Sequence, residues 1–170
     1  MIKHFDPFVP NWLHEKAKTQ TLSPQLDWHF PGNGGYHGDI EKSCFMNLAF
    51  DIERNNYEDW NNKESLIYIL DCWADANKDW FHFKGLNRCI INFYSAGQTM
   101  GWHIDHSNLD FFTLIYYVND ADGGTEFKNC EVTHKENTGL LLKANEIHTS
   151  MVSTVPRRIS VAWVIAGELL

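Results

Sequence analysis

The chain of 170 residues has four cysteines, Cys44, Cys72, Cys89 and Cys130, and no two of them form a C-x-x-C pair. That spacing speaks against a zinc ribbon or a thioredoxin-like redox motif and suits a compartment where thiols stay reduced. Long hydrophobic runs are missing as well. The longest aliphatic stretch is Leu140-Leu141-Leu142, whereas a membrane-spanning helix needs about 20 apolar residues. Residues 1–7 carry Asp6 and Pro7 where a secretory signal would carry an apolar run. A cytoplasmic protein with no membrane partner is expected. Positive charge is scarce, with 14 Lys and Arg against 22 Asp and Glu and a net charge of -8. A nucleic-acid binder rests on Lys and Arg meeting phosphates, so no nucleic-acid partner is expected.

Aromatic residues are plentiful at 14%, with 7 Trp, so the chain can build a core and is not disordered. The length suits one domain spanning 1–170. Two styles meet near Leu86. Residues 1–86 read as helical support and loops. A short helix is expected over 10–19. A second is expected over 65–78, where Leu66, Ile69, Leu70 and Trp73 fall on one stripe. The glycine-rich segment 27–38 between them reads as a surface loop or a lid. Residues 87–168 read as strands, over 88–95, 111–118, 125–127, 139–142, 147–152 and 158–166. Glycine-rich turns, such as Asp122-Gly123-Gly124, separate them. The pattern predicts an α+β, mainly β fold, a sandwich or jelly roll with N-terminal supporting helices.

Nine histidines remain to be explained. In extended chain, residues i and i+2 point the same way, so His103 and Asp105 of His103-Ile104-Asp105 converge on one point. His148, at the start of a later predicted strand, is the best third member, with His134 as its rival. Two imidazoles and one carboxylate leave half of an octahedral metal open, as in non-haem Fe(II) oxygenases. On the last predicted strand, Arg158 and Ser160 share one side. A guanidinium pairs bidentately with a carboxylate and stays charged.

These elements together resemble the Fe(II)/2-oxoglutarate-dependent dioxygenases, and within them the prolyl 4-hydroxylase-like group. The likeness runs from Arg88 to Ala166. It comprises Asn92-Phe93-Tyr94, His103-Ile104-Asp105, Leu114-Ile115-Tyr116-Tyr117-Val118-Asn119, Gly123-Gly124-Thr125-Glu126-Phe127, His148 and Arg158-Ile159-Ser160, in family order. The resemblance implies a double-stranded β-helix, the jelly roll, with Fe(II) held by His103, Asp105 and His148. It implies that 2-oxoglutarate is held at its distal carboxylate by Arg158, helped by Ser160 and Tyr117, with Asn92 and Tyr94 in contact and Ile115 lining the pocket. Arg157 is the rival of Arg158, and Trp163 is a candidate wall of the site. The implied reaction is hydroxylation with O2, ascorbate serving as a reductant. Asp105 stands where related halogenases have Gly or Ala, which implies hydroxylation and not halogenation.

The implied substrate is a peptidyl proline or other amino-acid residue, or a small metabolite. The second arginine found in nucleic-acid demethylases of the superfamily is not matched, since Val164 and Trp163 occupy the two possible positions. Two other readings stand beside this one. A jelly roll could hold a metal or ligand without turnover, although such a module has no reason to keep Arg158 and Tyr117. A cupin-type oxygenase would use no 2-oxoglutarate, although it expects a His-x-His motif where this chain has His103-Ile104-Asp105.

Overall fold

A computed structural model describes residues 2–24, 26, 45–52 and 64–170. Its elements in chain order are β1 (Ile2–Phe5), α1 (Asn11–Thr21), β2 (Phe45–Asp51), α2 (Glu64–Ala76), β3 (Phe81–Tyr94), β4 (Phe111–Tyr117), β5 (Gly124–Phe127), β6 (Glu131–Thr133), β7 (Thr138–Lys143), β8 (His148–Ser150) and β9 (Arg158–Leu169). A six-stranded sheet has the order β1-β7-β4-β9-β3-β2, and a three-stranded sheet has the order β6-β5-β8. The pairings within both sheets are antiparallel. This is the mainly β architecture with two helices that the sequence predicts.

Alternation along β4 and β9 decides what each face of the larger sheet does. Phe112, Leu114 and Tyr116 of β4, with Ile159, Val161, Trp163 and Ile165 of β9, are fully buried on one face. The helices pack there, through Leu13 and Ala17 of α1 and Leu66, Ile69, Leu70 and Trp73 of α2. The stripe of α2 is the predicted one. The helix stops at Ala76, where the Asn77 side-chain amide donates to the Trp73 carbonyl at 2.7 Å and satisfies an end that would otherwise lack a partner. On the same face Phe8 stacks on Tyr116 at 5.2 Å and on Trp163 at 6.4 Å between ring centroids. Trp163 therefore belongs to the dry core, and the reading of it as a wall of the site is corrected. Its place in the alternation points it away from the small sheet.

Of the residues between those positions, Ile115 and Tyr117 of β4 and Arg158, Ser160 and Ala162 of β9 line a cavity on the opposite face. Register aligns them into rows. Asn92 of β3, Ser160 of β9 and Tyr117 of β4 form one row, and Tyr94 stands opposite Arg158 in the next.

The first 86 residues contribute more strand than their helical reading suggests. β1 is a four-residue edge strand on β7, too short to show alternation. β2 pairs with β3 and has Asn47 and Asp51 buried among apolar residues, so its sequence lacks a clean polar face. β3 begins at Phe81, earlier than predicted, because irregularities around Gly85 and between Leu86 and Arg88 break the period of two. The glycine-rich 27–38 segment lies outside the described residues, as do Cys44, Glu53, Arg54, Glu58 and Asp59. Among the described residues no helix is long and apolar enough to cross a membrane.

Candidate active site

His103 and His148 face each other across a backbone bridge. The His103 amide donates to the His148 carbonyl at 2.9 Å, and the His148 amide donates to the His103 carbonyl at 3.0 Å. Residue 103 thereby adds an edge to the small sheet beside β8. Each ring is oriented in the same local way, with Nδ1–H donating to the carbonyl two residues earlier. His103 donates to Gly101 at 2.7 Å, and His148 donates to Glu146 at 2.8 Å. A carbonyl only accepts, so each Nδ1 carries the proton and each Nε2 keeps its lone pair. Both Nε2 atoms point at Asp105, at 3.6 Å from Oδ1 for His103 and 3.5 Å from Oδ2 for His148. The three ligand atoms lie within 4.8 Å of one another.

Asp105 is fixed from three sides. The Thr113 hydroxyl donates to its Oδ2 at 2.7 Å. Its backbone amide donates to Ala144 at 2.8 Å, and the Arg88 guanidinium donates to its carbonyl at 2.9 Å. Burial works to raise the Asp105 pKa, but the hydrogen bonds and charges of His103 and His148 outweigh it and hold the carboxyl well below the usual range. Burial likewise pulls His103 down, and Asp105 outweighs it and raises the ring. The trio already favours a charged carboxylate.

The cavity also holds a cationic end. Arg158 is 1% exposed although it carries a full charge. Its guanidinium lies over the Tyr94 ring at 4.2 Å and donates through Nη1 to the Met151 carbonyl. Gly123, at φ +83°, leaves it room, since a Cβ there would meet Nη1 at 2.5 Å. The Tyr117 and Thr125 hydroxyls share a hydrogen bond of 2.6 Å. Burial pushes the Tyr117 phenol up to about 12, against the opposing pull of Thr125 and Arg158, so it stays neutral. Arg157 is exposed, and its carbonyl accepts from Asn119. Of the two rival arginines, only Arg158 lines this cavity.

No protein-family model matches the chain, and no curated protein matches its sequence. Solved structures do. A prolyl hydroxylase from Trichoplax adhaerens, in complex with a hypoxia inducible factor peptide fragment, superposes with a TM-score of 0.67 at 14% identity, over 97% of this chain and 83% of that one. A viral collagen prolyl hydroxylase from Paramecium Bursaria Chlorella virus-1 gives 0.60 at 14%, over 97% and 96%. An oxidoreductase of the 2OG-Fe(II) oxygenase family from Burkholderia pseudomallei gives 0.61 at 13%, over 97% and 84%.

The chain has the 2-oxoglutarate–Fe(II) oxygenase fold.

Within this oxygenase fold, the sequence-predicted residues His103, Asp105, His148, Arg158, Tyr117, Tyr94, Asn92, Ser160 and Ile115 all line one cavity. His134, weighed as a rival ligand, is not in the triad, although it lines the same cavity. His106 also stands outside the triad, packed on Phe111 with ring centroids at 4.3 Å. Sequence reasoning missed three supports. Thr113 shares the strand face of Ile115 and Tyr117, but its partner Asp105 sits in a loop. Arg88 alternates with Asn92 and Tyr94 on β3 and could have been found that way. Gly123 was read only as a turn residue.

A second group of ligand-type atoms, His14, Glu15 and Glu136, lies on the helix side. Lys18 already donates to both Glu136 carboxylate oxygens at 2.7 Å, and His14 Nε2 bonds the same carboxylate at 2.8 Å. His14 Nδ1 bonds the Tyr116 hydroxyl at 2.5 Å. The group is internally matched and ties α1 to the sheet.

Proposed function

We propose that this chain is an Fe(II)- and 2-oxoglutarate-dependent oxygenase that hydroxylates a C–H bond of a peptidyl proline or other amino-acid residue, or of a small metabolite. The observation that carries this reading is the presence, in one cavity, of three convergent ligand atoms and a buried guanidinium. The donor set fits Fe(II). Two imidazoles with their Nδ1–H groups committed to carbonyls, and one carboxylate held by Thr113, would supply three ligands to such a metal and leave its other positions open. His103, Asp105 and His148 would hold the metal. Arg158 is the match for the distal carboxylate of 2-oxoglutarate, with the neutral Tyr117 phenol as a further donor and Asn92, Tyr94, Ser160 and Ile115 around it.

When bound, Fe(II) and 2-oxoglutarate together supply the O2-dependent replacement of C–H by C–OH, with the cosubstrate converted to succinate and carbon dioxide. The residues orient and exclude water. Thr113 and Arg88 hold Asp105 from its side chain and its backbone. Burial around Arg158 keeps its charge unscreened, so a carboxylate is held more strongly there than in solvent. Trp102, Ile104 and Ile147, all exposed, flank the ligands in sequence. The peptide option is supported by the likeness to a hydroxylase solved with a peptide fragment.

The test is aerobic incubation of the protein with Fe(II), ascorbate and 2-oxoglutarate, following succinate. Slow iron-dependent succinate formation without added substrate is expected. No succinate, together with no metal-dependent binding of 2-oxoglutarate, would overturn the reading.

A further inference from the structure

His134 takes no part in the triad, yet it is 3% exposed and lines the same cavity. It follows β6 in the small sheet, whereas Arg158 comes from the large one. Its position is fixed. The His134 backbone amide donates to the Gly123 carbonyl at 3.0 Å, and its ring packs on Tyr117 with centroids at 4.3 Å. One ring nitrogen hydrogen-bonds the backbone of Asn119 in the sense that favours the charged ring, so that nitrogen donates and a carbonyl accepts. Nε2 is buried, with no hydrogen-bond partner among the described residues.

A ring with one N–H given to a carbonyl presents a bare lone pair at Nε2 when neutral and a second donor when protonated. Burial, then the charge of Arg158, pulls the ring down to about 3, so it is neutral near pH 7. Among the described residues its charged and titratable neighbours are few. Arg158 reaches it from β9. Tyr117 packs on it from β4 and stays neutral. Thr125 of β5 adds a hydroxyl bonded to Tyr117. A buried nitrogen without a partner is costly, and here it sits beside a cation in a cavity. A carboxylate entering that cavity works against the downward pull, because it offsets Arg158 and gives an Nε2–H group an acceptor.

We propose that His134 is a protonatable arm of the carboxylate subsite, taking up one proton from solvent when a dicarboxylate binds and donating Nε2–H to it beside Arg158. The identity of that dicarboxylate, 2-oxoglutarate, rests on the function proposed above. The subsite thus binds its ligand together with a proton, and affinity rises as pH falls.

Calorimetry of 2-oxoglutarate binding to Mn(II)-loaded protein, from pH 6 to 8.5 in two buffers of different ionisation enthalpy, counts the protons directly. Wild type is expected to take up close to one proton over part of this range, where its affinity falls by about tenfold per pH unit. His134→Gln and His134→Leu are expected to bind 2-oxoglutarate with that uptake removed, Gln retaining more affinity because its amide still donates. Wild-type binding without proton uptake, or unchanged uptake in either variant, overturns the role of His134 and leaves the cosubstrate reading intact. Mn(II)-loaded wild type that binds no 2-oxoglutarate at any pH overturns the cosubstrate reading itself and this role with it. The wild-type count needs no variant to fold.

Discussion

The two faces of the six-stranded sheet come from the same strands and hold opposite contents. Facing the helices, Phe112, Leu114, Val161 and Trp163 are fully buried and apolar. Facing the small sheet one residue along, Thr113, Tyr117, Arg158 and Ser160 are almost as buried and polar. Burial of the first set drives folding. Burial of the second opposes it unless each group finds a partner. The contrast separates residues that stabilise the protein from those that, on the proposed function, are held at some cost for a ligand. It also predicts that substitutions on the two faces have different signatures.

The largest effect is expected on the helix face. Trp163→Ala leaves a cavity beneath Phe8 and Tyr116 and should cost about 3–5 kcal/mol of stability, read as a lower unfolding midpoint in denaturant. On the cavity face, Arg158→Met should lower 2-oxoglutarate affinity by roughly 2–5 kcal/mol, measured by calorimetry on Mn(II)-loaded protein. Its melting temperature should hold or rise, since a buried charge gives way to an apolar chain of similar length. If the variant unfolds as Trp163→Ala does, the distinction between the faces collapses. Thr113→Val keeps the shape but removes the hydroxyl from Asp105 and should weaken metal binding by about 10- to 100-fold, measured by competition with a chelating indicator.

The smallest effect sharpens the comparison on the helix side, where Lys18 and His14 hold the Glu136 carboxylate. Burial raises the Glu136 pKa, but hydrogen bonds from Lys18 and His14 outweigh it and hold the carboxyl low. A carboxylate whose pKa is lowered by folding adds stability above its unfolded value and loses it as pH falls through the folded one. Glu136→Gln should therefore cost about 1 kcal/mol at neutral pH. The gap to wild type should close as pH falls below about 4.3, as thermal melts across pH would reveal.

The chemistry-bearing part of the molecule was the most legible. Alternation within Arg158-Ile159-Ser160 set Arg158 on the side of Ser160, and the cavity contains both while Arg157 is exposed. Alternation within His103-Ile104-Asp105 aimed two ligand-type side chains at one point. What stayed illegible depends on register between distant segments. The contact of Thr113 with Asp105 exists only because β4 passes beneath the loop after β3. His134 reaches Tyr117 and Arg158 by way of β6, a three-residue strand with no hydrophobic pattern of its own. β1 and β2 lack alternation for the same reason in other guises, one being too short and the other buried unevenly along its length.

The bridge between residues 103 and 148 has a further consequence. The two imidazoles are spaced by main-chain hydrogen bonds, with ring centroids 4.5 Å apart, so their separation is a property of the polypeptide and not of whatever they grip. Little rearrangement remains to be done on loading. A chelator should strip such a centre and leave the secondary structure undisturbed, and different divalent ions should exchange through it on one unchanged frame. On the proposed function, the pair is a reusable socket.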